Sequence, residues 1–366
     1  MTTAATTPPV TGGVVAVHAH PDDETLTSGA LLATWAAAGL PALVVTCTRG
    51  ERGEVIGAEL AHLEGDGPAL ATHRERELAR AVAALGAAQV FLDTLPLASP
   101  PVEVAAGAGS EALNPASAAL STSGTRYEDS GMAWVGTGRA GAAAALPERA
   151  FVGVPLDEAA GRLAGLLLDR RPDLVVTYEP GGGYGHPDHV RAHEVTMRAV
   201  ELAQAADPER PADPERAADP AAAGGWRPAV AWAVQDPDAL RAGYAALAED
   251  PAVRAVLAAH AAADPATRSG PLALPDPGGP LPSVAAAGEP DLVVDVAPVR
   301  DRVLAALRAH ATQVQAVRPL DHSAAAACLA LSNLVLAPVL PAEGYRWAPG
   351  GAPAELRVPR GATRRT

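Results

Sequence analysis

The 366-residue chain contains no lysine. That absence removes whole chemistries, because a P-loop needs its lysine and Schiff-base and pyridoxal enzymes need theirs. No G-x-S-x-G occurs, so the usual nucleophile elbow is missing as well. Only two cysteines are present, Cys47 and Cys328, far apart and without a C-x-x-C. A disulfide framework and a cysteine-based zinc knuckle are therefore excluded, and Cys47, at the end of the apolar run ALVVTC, reads as a buried reduced thiol. Positive charge is scarce: 28 basic residues face 42 acidic ones, for a net charge of -14 and a pI near 5.1. With no basic stripe, neither nucleic acid nor an anionic membrane is an expected partner, and a small or neutral molecule fits better. The N-terminus, MTTAATTPPVTGG, lacks the basic start and apolar core of a signal peptide, so a cytoplasmic protein is expected. Charge is also missing from Thr25 to Thr48, a run long enough to suggest a membrane span. Gly39-Leu40-Pro41 divides it into a helix-length and a strand-length piece, which argues against spanning.

Apolar residues make up 48% of the chain, enough to bury a sizeable core as one large domain with insertions or as two smaller ones. Short Val/Leu runs alternate with Ala/Leu/Arg segments of helical period, the pattern of an α/β fold with a Rossmann-like, mostly parallel sheet and helices on both faces. Strands are predicted at Val14 to Val17, Ala42 to Thr46, Gln89 to Leu92, Leu174 to Thr177, Ala229 to Val234 and Leu292 to Val296. Helices are predicted at Leu26 to Ala38, Arg74 to Leu85, Leu156 to Arg170 and Val190 to Ala205, then at Asp238 to Ala248, Pro251 to Ala262, Val299 to Ala311 and Ser323 to Leu331. Ala98 to Gly124 and Ala206 to Gly225, the latter with ADPER twice, have the composition of surface loops, as does Pro271 to Pro282. The implied organisation is a core over 1–205 with an insertion at 98–124, a linker or loop at 206–225, and a smaller C-terminal α/β part over 226–366 that completes the pocket.

His-Pro-Asp occurs twice, in VHAHPDDET (Val17 to Thr25) and YGHPDHVRAH (Tyr184 to His193). Residue frequencies give about 0.05 such tripeptides per chain by chance. In a doubly wound sheet of order 3-2-1-4-5 the first copy follows strand 1 and the second follows strand 4, so the two face each other across the crevice where the chain leaves neighbouring strands in opposite directions. Each copy alone also suits a helix start, with proline and acidic residues in a first turn. Together they supply neutral imidazoles and a carboxylate, the usual ligands of a catalytic zinc with an open position for water. Asp22 and Asp23 are consecutive and leave the backbone in different directions. One should bind the ion and the other remain free to take a proton from water, which is hydrolytic chemistry.

These motifs resemble those of the LmbE-like, or PIG-L-like, zinc N-deacetylases. The resemblance extends through TCTRGERGEVIG (Thr46 to Gly57), HRERELARAVAALG (His73 to Gly86), YEDSGM (Tyr127 to Met132), VVTYEPGGGYGHPDHV (Val175 to Val190), HATQV (His310 to Val314) and ALSNLVLA (Ala330 to Ala337). Within the family it is nearest to members that deacetylate N-acetylglucosaminyl-inositol in mycothiol biosynthesis, with mycothiol S-conjugate amidases as near neighbours. The resemblance implies one zinc held by His20, Asp23 and His189, with Asp22 as general base. Asp188 would orient a neighbouring histidine, and His186 would be a charged or hydrogen-bonding group at the developing oxyanion. Tyr184, in the glycine-rich loop, would help polarise the carbonyl, and Glu54, Arg74 and Asp129 would grip sugar and inositol hydroxyls. Ferrous iron tolerates the same His/Asp set. His18 is either support for this group or a satisfied buried histidine; His193, one turn after His189, could pair with it, though Asp23 already supplies a third ligand. His310 has no assigned role, and the oligomeric state is left open. Glu179-Pro180 stands where the family pattern more often has Asp-Pro, and 98–124 is longer than expected. A non-catalytic metal- or sugar-binding module and a dinucleotide-binding oxidoreductase are competing readings, the latter weakened by His-Pro-Asp standing where G-x-G-x-x-G would be needed.

Overall fold

A computed structural model describes residues 12–97, 126–136, 139–207, 225–262, 270–286, 289–352 and 356–365. The expected insertion at 98–124, and 206–225 apart from its edge residues, lie outside the described residues. The elements run β1 (Val14–His18), α1 (Asp23–Ala37), β2 (Ala42–Thr46), α2 (Gly67–Leu85), β3 (Ala88–Phe91), β4 (Met132–Gly136), β5 (Arg139–Ala142), α3 (Leu156–Arg170), β6 (Leu174–Tyr178), α4 (Gly182–Gly185), α5 (Pro187–Ala206), β7 (Ala229–Val234), α6 (Pro237–Glu249), α7 (Pro251–Ala262), β8 (Leu292–Asp295), α8 (Arg300–Ala309), β9 (Gln315–His322), β10 (Ala325–Ala330), β11 (Leu336–Val339), β12 (Ala342–Trp347) and β13 (Ala362–Arg364).

One eight-stranded sheet has the order β13-β8-β12-β7-β6-β1-β2-β3. Its β3-β2-β1-β6-β7 half is parallel and follows the predicted 3-2-1-4-5 order. β12 enters antiparallel between β7 and β8, so the C-terminal part extends the same sheet. The continuous apolar run of β1 is explained by burial on both faces. Val14 and Ala16 join a core with Leu31, Trp35, Leu78 and Leu307, whereas Val15 and Val17 join a second core with Phe151, Leu163 and Val195. The chain leaves β1 through α1 toward the first core and leaves β6 through α5 toward the second, which opens the crevice at the carboxyl ends of these neighbouring strands.

The predicted helix Ser323 to Leu331 is instead strand β10, the centre of an antiparallel sheet of order β11-β10-β9. Alanine and leucine favour helix locally, yet Ala327 and Leu329 pack into the first core while Ala325, Cys328 and Ala330 pack into a smaller one. Burial on both sides, with ladder partners on both edges, overrides that propensity. The period also left β9, β11, β12, β13 and the β4-β5 hairpin unpredicted. Residues 271–282 contain one isolated bridge, Ala273 to Val335, and no longer element. Both cysteines are free and buried, and among the described residues no helix is long and apolar enough to cross a membrane.

Candidate active site

The loop after β1 carries His20 to Asp23, and the Asp22 backbone adopts φ 120° and ψ -35°, a conformation that disfavours any residue with a side chain. Several contacts impose it. The Asp22 N–H donates to Glu24 Oε2 at 2.9 Å, and Arg74 donates to the Pro21 carbonyl and, at 2.9 Å, to that of Gly50. The Arg74 guanidinium also lies 3.4 Å from Asp22 Oδ1. Thr25 and Leu26 N–H groups donate to the Asp22 carbonyl as α1 begins.

The second copy starts α5. His186 Nδ1 accepts the Asp188 N–H at 3.1 Å, so the imidazole itself caps the helix. Gly182 lies before it at φ 69°, where a Cβ would meet Val190 N at 2.8 Å and the His189 Cβ at 3.0 Å. Only glycine lets the loop approach the helix so closely. Glu179, the departure from the usual Asp-Pro, folds its carboxylate back to accept the N–H groups of Gly181 and, at 2.8 Å, Gly183.

These two turns bring His20, Asp23 and His189 together. His20 Nδ1 lies 3.3 Å from Asp23 Oδ2 and 3.3 Å from His189 Nε2, and His189 Nε2 lies 3.4 Å from Asp23 Oδ2. Ligand atoms held at 2.0–2.2 Å from one ion with tetrahedral angles stand about 3.3 to 3.6 Å apart, so the triangle fits a single ion. The protons fall in place for it. His20 Nε2 is 3.2 Å from Asp188 Oδ2 and His189 Nδ1 is 3.2 Å from the Gly182 carbonyl; both oxygens only accept, so each ring in its neutral form keeps a lone pair on its triangle nitrogen. Two other groupings, His20/His186/His189 and His20/Asp129/Asp188, are also close enough to share an ion. They suit one less well, since His186 Nδ1 is occupied by the helix cap and Asp129 and Asp188 approach the protonated side of His20.

The electrostatics point the same way. Burial opposes charge on His20, but Asp129, Asp188 and Asp23 outweigh it and hold the imidazole well above its ordinary range. Burial likewise works to raise Asp23, and His189 and His20 overcome it, holding the carboxyl well below its ordinary range. The buried carboxylates Asp23, Asp129 and Asp188 around His20 thus draw positive charge into their midst, which a divalent cation would supply.

Asp22, outside the triangle, lines the same cavity of about 970 Å³ as His20, Asp23 and His189. Burial pushes its carboxyl up to about 6, against the opposing pull of Arg74. His186 stacks on His189 with centroids 5.0 Å apart, and burial followed by His20 and His189 pushes it down to about 2. With Nδ1 accepting the Asp188 N–H, Nε2 is the ring nitrogen left to donate. Tyr184 lies edge-on to His189 at 5.1 Å and also lines the cavity; burial raises its hydroxyl well above the ordinary range. Asp188 is fully buried and accepts the Ser130 N–H at 2.9 Å besides facing His20. Asp129 accepts the Gly131 and Arg52 N–H groups at 2.8 and 3.3 Å and stands 3.7 Å from His20. Glu54 is exposed at the cavity rim, whereas Arg74 is buried behind Asp22 and engaged with the loop.

His18 is a satisfied core histidine: its Nε2 bonds Ser28 Oγ at 2.8 Å, and burial lowers it to about 4. His193 is 2.8 Å from the Tyr178 carbonyl and faces Trp232, so it does not extend the His189 face into the site. Tyr178 was missed by sequence reasoning. It stacks on His189 at 4.3 Å and accepts the Ala19 N–H at 2.9 Å, joining the two strand ends; its place as the last residue of β6 was the available signal.

A family profile described as "PIG-L: GlcNAc-PI de-N-acetylase" matches residues 15–200. The chain belongs to the PIG-L family. Among PIG-L relatives, it is 42% identical over 340 residues to the 1D-myo-inositol 2-acetamido-2-deoxy-α-D-glucopyranoside deacetylase of Kineococcus radiotolerans, covering 93% of this chain and 78% of that protein. It is 40% identical to the protein of the same description from Nocardia farcinica, covering 92% and 89%. A solved structure of GalB, the 4-carboxy-2-hydroxymuconate hydratase from Pseudomonas putida KT2440, aligns over 82% of this chain and 79% of its own with TM-score 0.42 and 17% identity. The His/Asp cluster described above is thus the metal-binding candidate of a PIG-L chain.

Proposed function

We propose that this PIG-L chain is a zinc-dependent N-deacetylase that converts N-acetylglucosaminyl-inositol to glucosaminyl-inositol and acetate. The observation that carries this reading is the near-equilateral triangle of His20 Nδ1, Asp23 Oδ2 and His189 Nε2 with the unligated Asp22 carboxylate in the same cavity. The deacetylase activity for which the relatives are named supports the substrate.

His20, Asp23 and His189 would hold one divalent ion, zinc or ferrous iron. Such an ion, when bound, lowers the pKa of water and polarises a carbonyl. Asp22 takes the proton of the attacking water, and its carboxyl near 6 suits a base working close to neutrality. It then delivers that proton to the departing sugar amine as the C–N bond breaks, so the products are acetate and the free amine. His186 Nε2–H and the Tyr184 hydroxyl donate to the carbonyl oxygen as its charge builds, and stabilise the transition state more than the ground state. Asp188 keeps His20 in the tautomer that leaves Nδ1 free. Asp129 and Glu54 suit sugar and inositol hydroxyls because carboxylates accept from several at once; Arg74 would reach them only from behind Asp22.

The test is release of free amine and acetate from N-acetylglucosaminyl-inositol, run beside a mycothiol S-conjugate on anaerobically purified protein of measured metal content. Absence of amine release from metal-loaded protein would remove the deacetylase reading. A higher kcat/KM for the conjugate would replace the substrate.

A further inference from the structure

His310 lies 286 residues from Glu24 in sequence, and its Nε2 meets Glu24 Oε1 at 2.8 Å with both side chains fully buried. Glu24 Oε1 also accepts the Thr25 hydroxyl at 2.5 Å, and its other oxygen accepts the Asp22 N–H at 2.9 Å. Glu24 is thereby the carboxylate that holds the Asp22 backbone at its disfavoured φ of 120°.

The segment carrying His310 is itself pinned. It ends α8, and two residues later Thr312 donates both its N–H, at 2.9 Å, and its hydroxyl, at 2.5 Å, to the buried Glu77 of α2. The Thr312 carbonyl accepts the Ile56 N–H at 2.9 Å. His310 therefore projects from a fixed support, and a fixed donor can fix the carboxylate it meets.

We propose that His310 is a positioning residue for the reaction: by orienting Glu24 it holds Asp22 at the angle from which its carboxylate serves as base. This rests on the deacetylase reading. Residues held in sparsely populated backbone regions persist only when their surroundings over-determine them. Releasing Glu24 lets Asp22 relax toward ordinary backbone angles and swings the base away from the water, while the ligand triangle keeps its own partners, the Asp188 carboxylate and the Gly182 carbonyl.

The test compares His310→Gln with His310→Asn in metal-loaded protein. The glutamine amide nitrogen sits as many bonds from the backbone as Nε2 and can still donate to Glu24, whereas the asparagine amide stops short; both are polar and neutral, so the cost of burying them is similar. His310→Asn should lower kcat about 30-fold or more with KM and metal content unchanged, and His310→Gln should recover most of that loss. In an Asp22→Ala background the same His310→Asn change should add less than about two-fold, because its effect runs through a side chain already removed. Equal losses in the two variants, a loss that multiplies with that of Asp22→Ala, or parallel loss of metal would overturn the proposal. The deacetylase reading fails separately, when the unaltered protein releases no amine or Asp22→Ala retains full activity.

Discussion

In the first His-Pro-Asp the backbone turns at Asp22 with φ 120° before α1 begins, and the carboxylate stands in the open cavity. In the second the helix has begun at Pro187, so Asp188 sits inside the first turn of α5, fully buried against His20 and the Ser130 N–H. The histidines diverge as well. His20 turns a ring nitrogen toward Asp23 and His189, whereas His186 uses the equivalent nitrogen to cap its own helix. One tripeptide is thus placed in two ways, and where the helix starts separates them: Asp22 stands before α1 at the cavity, and Asp188 lies inside the first turn of α5.

The sharpest way to break this comparison is to exchange the fates of the residues by mutation. His20→Ala and His189→Ala should lose the bound ion together with activity, while Asp22→Ala should keep the ion and lose about 10³-fold in kcat. Elemental analysis and amine release on the same preparations check this, and equal metal loss in all three would erase the distinction between ligand and base. Asp188→Asn tests the other half. It should weaken metal affinity about 10- to 100-fold, since it disturbs the tautomer of His20, and should leave turnover at saturating metal far closer to native than Asp22→Ala does. A metal titration followed by activity decides it.

Smaller effects sharpen the picture. Stripping the ion with a chelator from protein held with free ion at about 100 times the dissociation constant should remove roughly 3 kcal/mol of stability in the native chain and almost none in His189→Ala, read as the difference in unfolding free energy. Gly182→Ala should cost about 1 to 3 kcal/mol, because its positive φ and the close approach of Val190 both oppose a side chain. The shift of His189 should raise the metal dissociation constant several-fold; denaturation curves and metal titration together measure it. An unchanged metal affinity would show that the second copy is held by α5 alone.

Much of the parallel half of the sheet was legible because β1, β2, β3, β6 and β7 each write a local signal, an apolar run bounded by turn residues and followed by a helical period. β10 was not legible. SAAAACLAL carries no period that distinguishes a strand from a helix, and its identity comes from β9 and β11 on either side and cores on both faces. The site divides along the same line. Paired motifs after neighbouring strands converge in a doubly wound sheet, so the place of the site was legible, whereas the choice of His20, Asp23 and His189 within those motifs rested on the resemblance to the PIG-L family. The engagement of Arg74 with the Pro21 and Gly50 carbonyls, the capping of α5 by His186 Nδ1 and the stacking of Tyr178 on His189 had no such signal.

By itself, then, the sequence determined which residue types stand at the carboxyl ends of β1 and β6, since strand and helix patterns are short-range and each reports its own neighbourhood. Tertiary structure alone decided how each of those residues is placed and what it touches. The angle at Asp22, the proton on each imidazole and the meeting of His310 with Glu24 depend on partners up to 286 residues away, whose placement is set by packing that no local window contains.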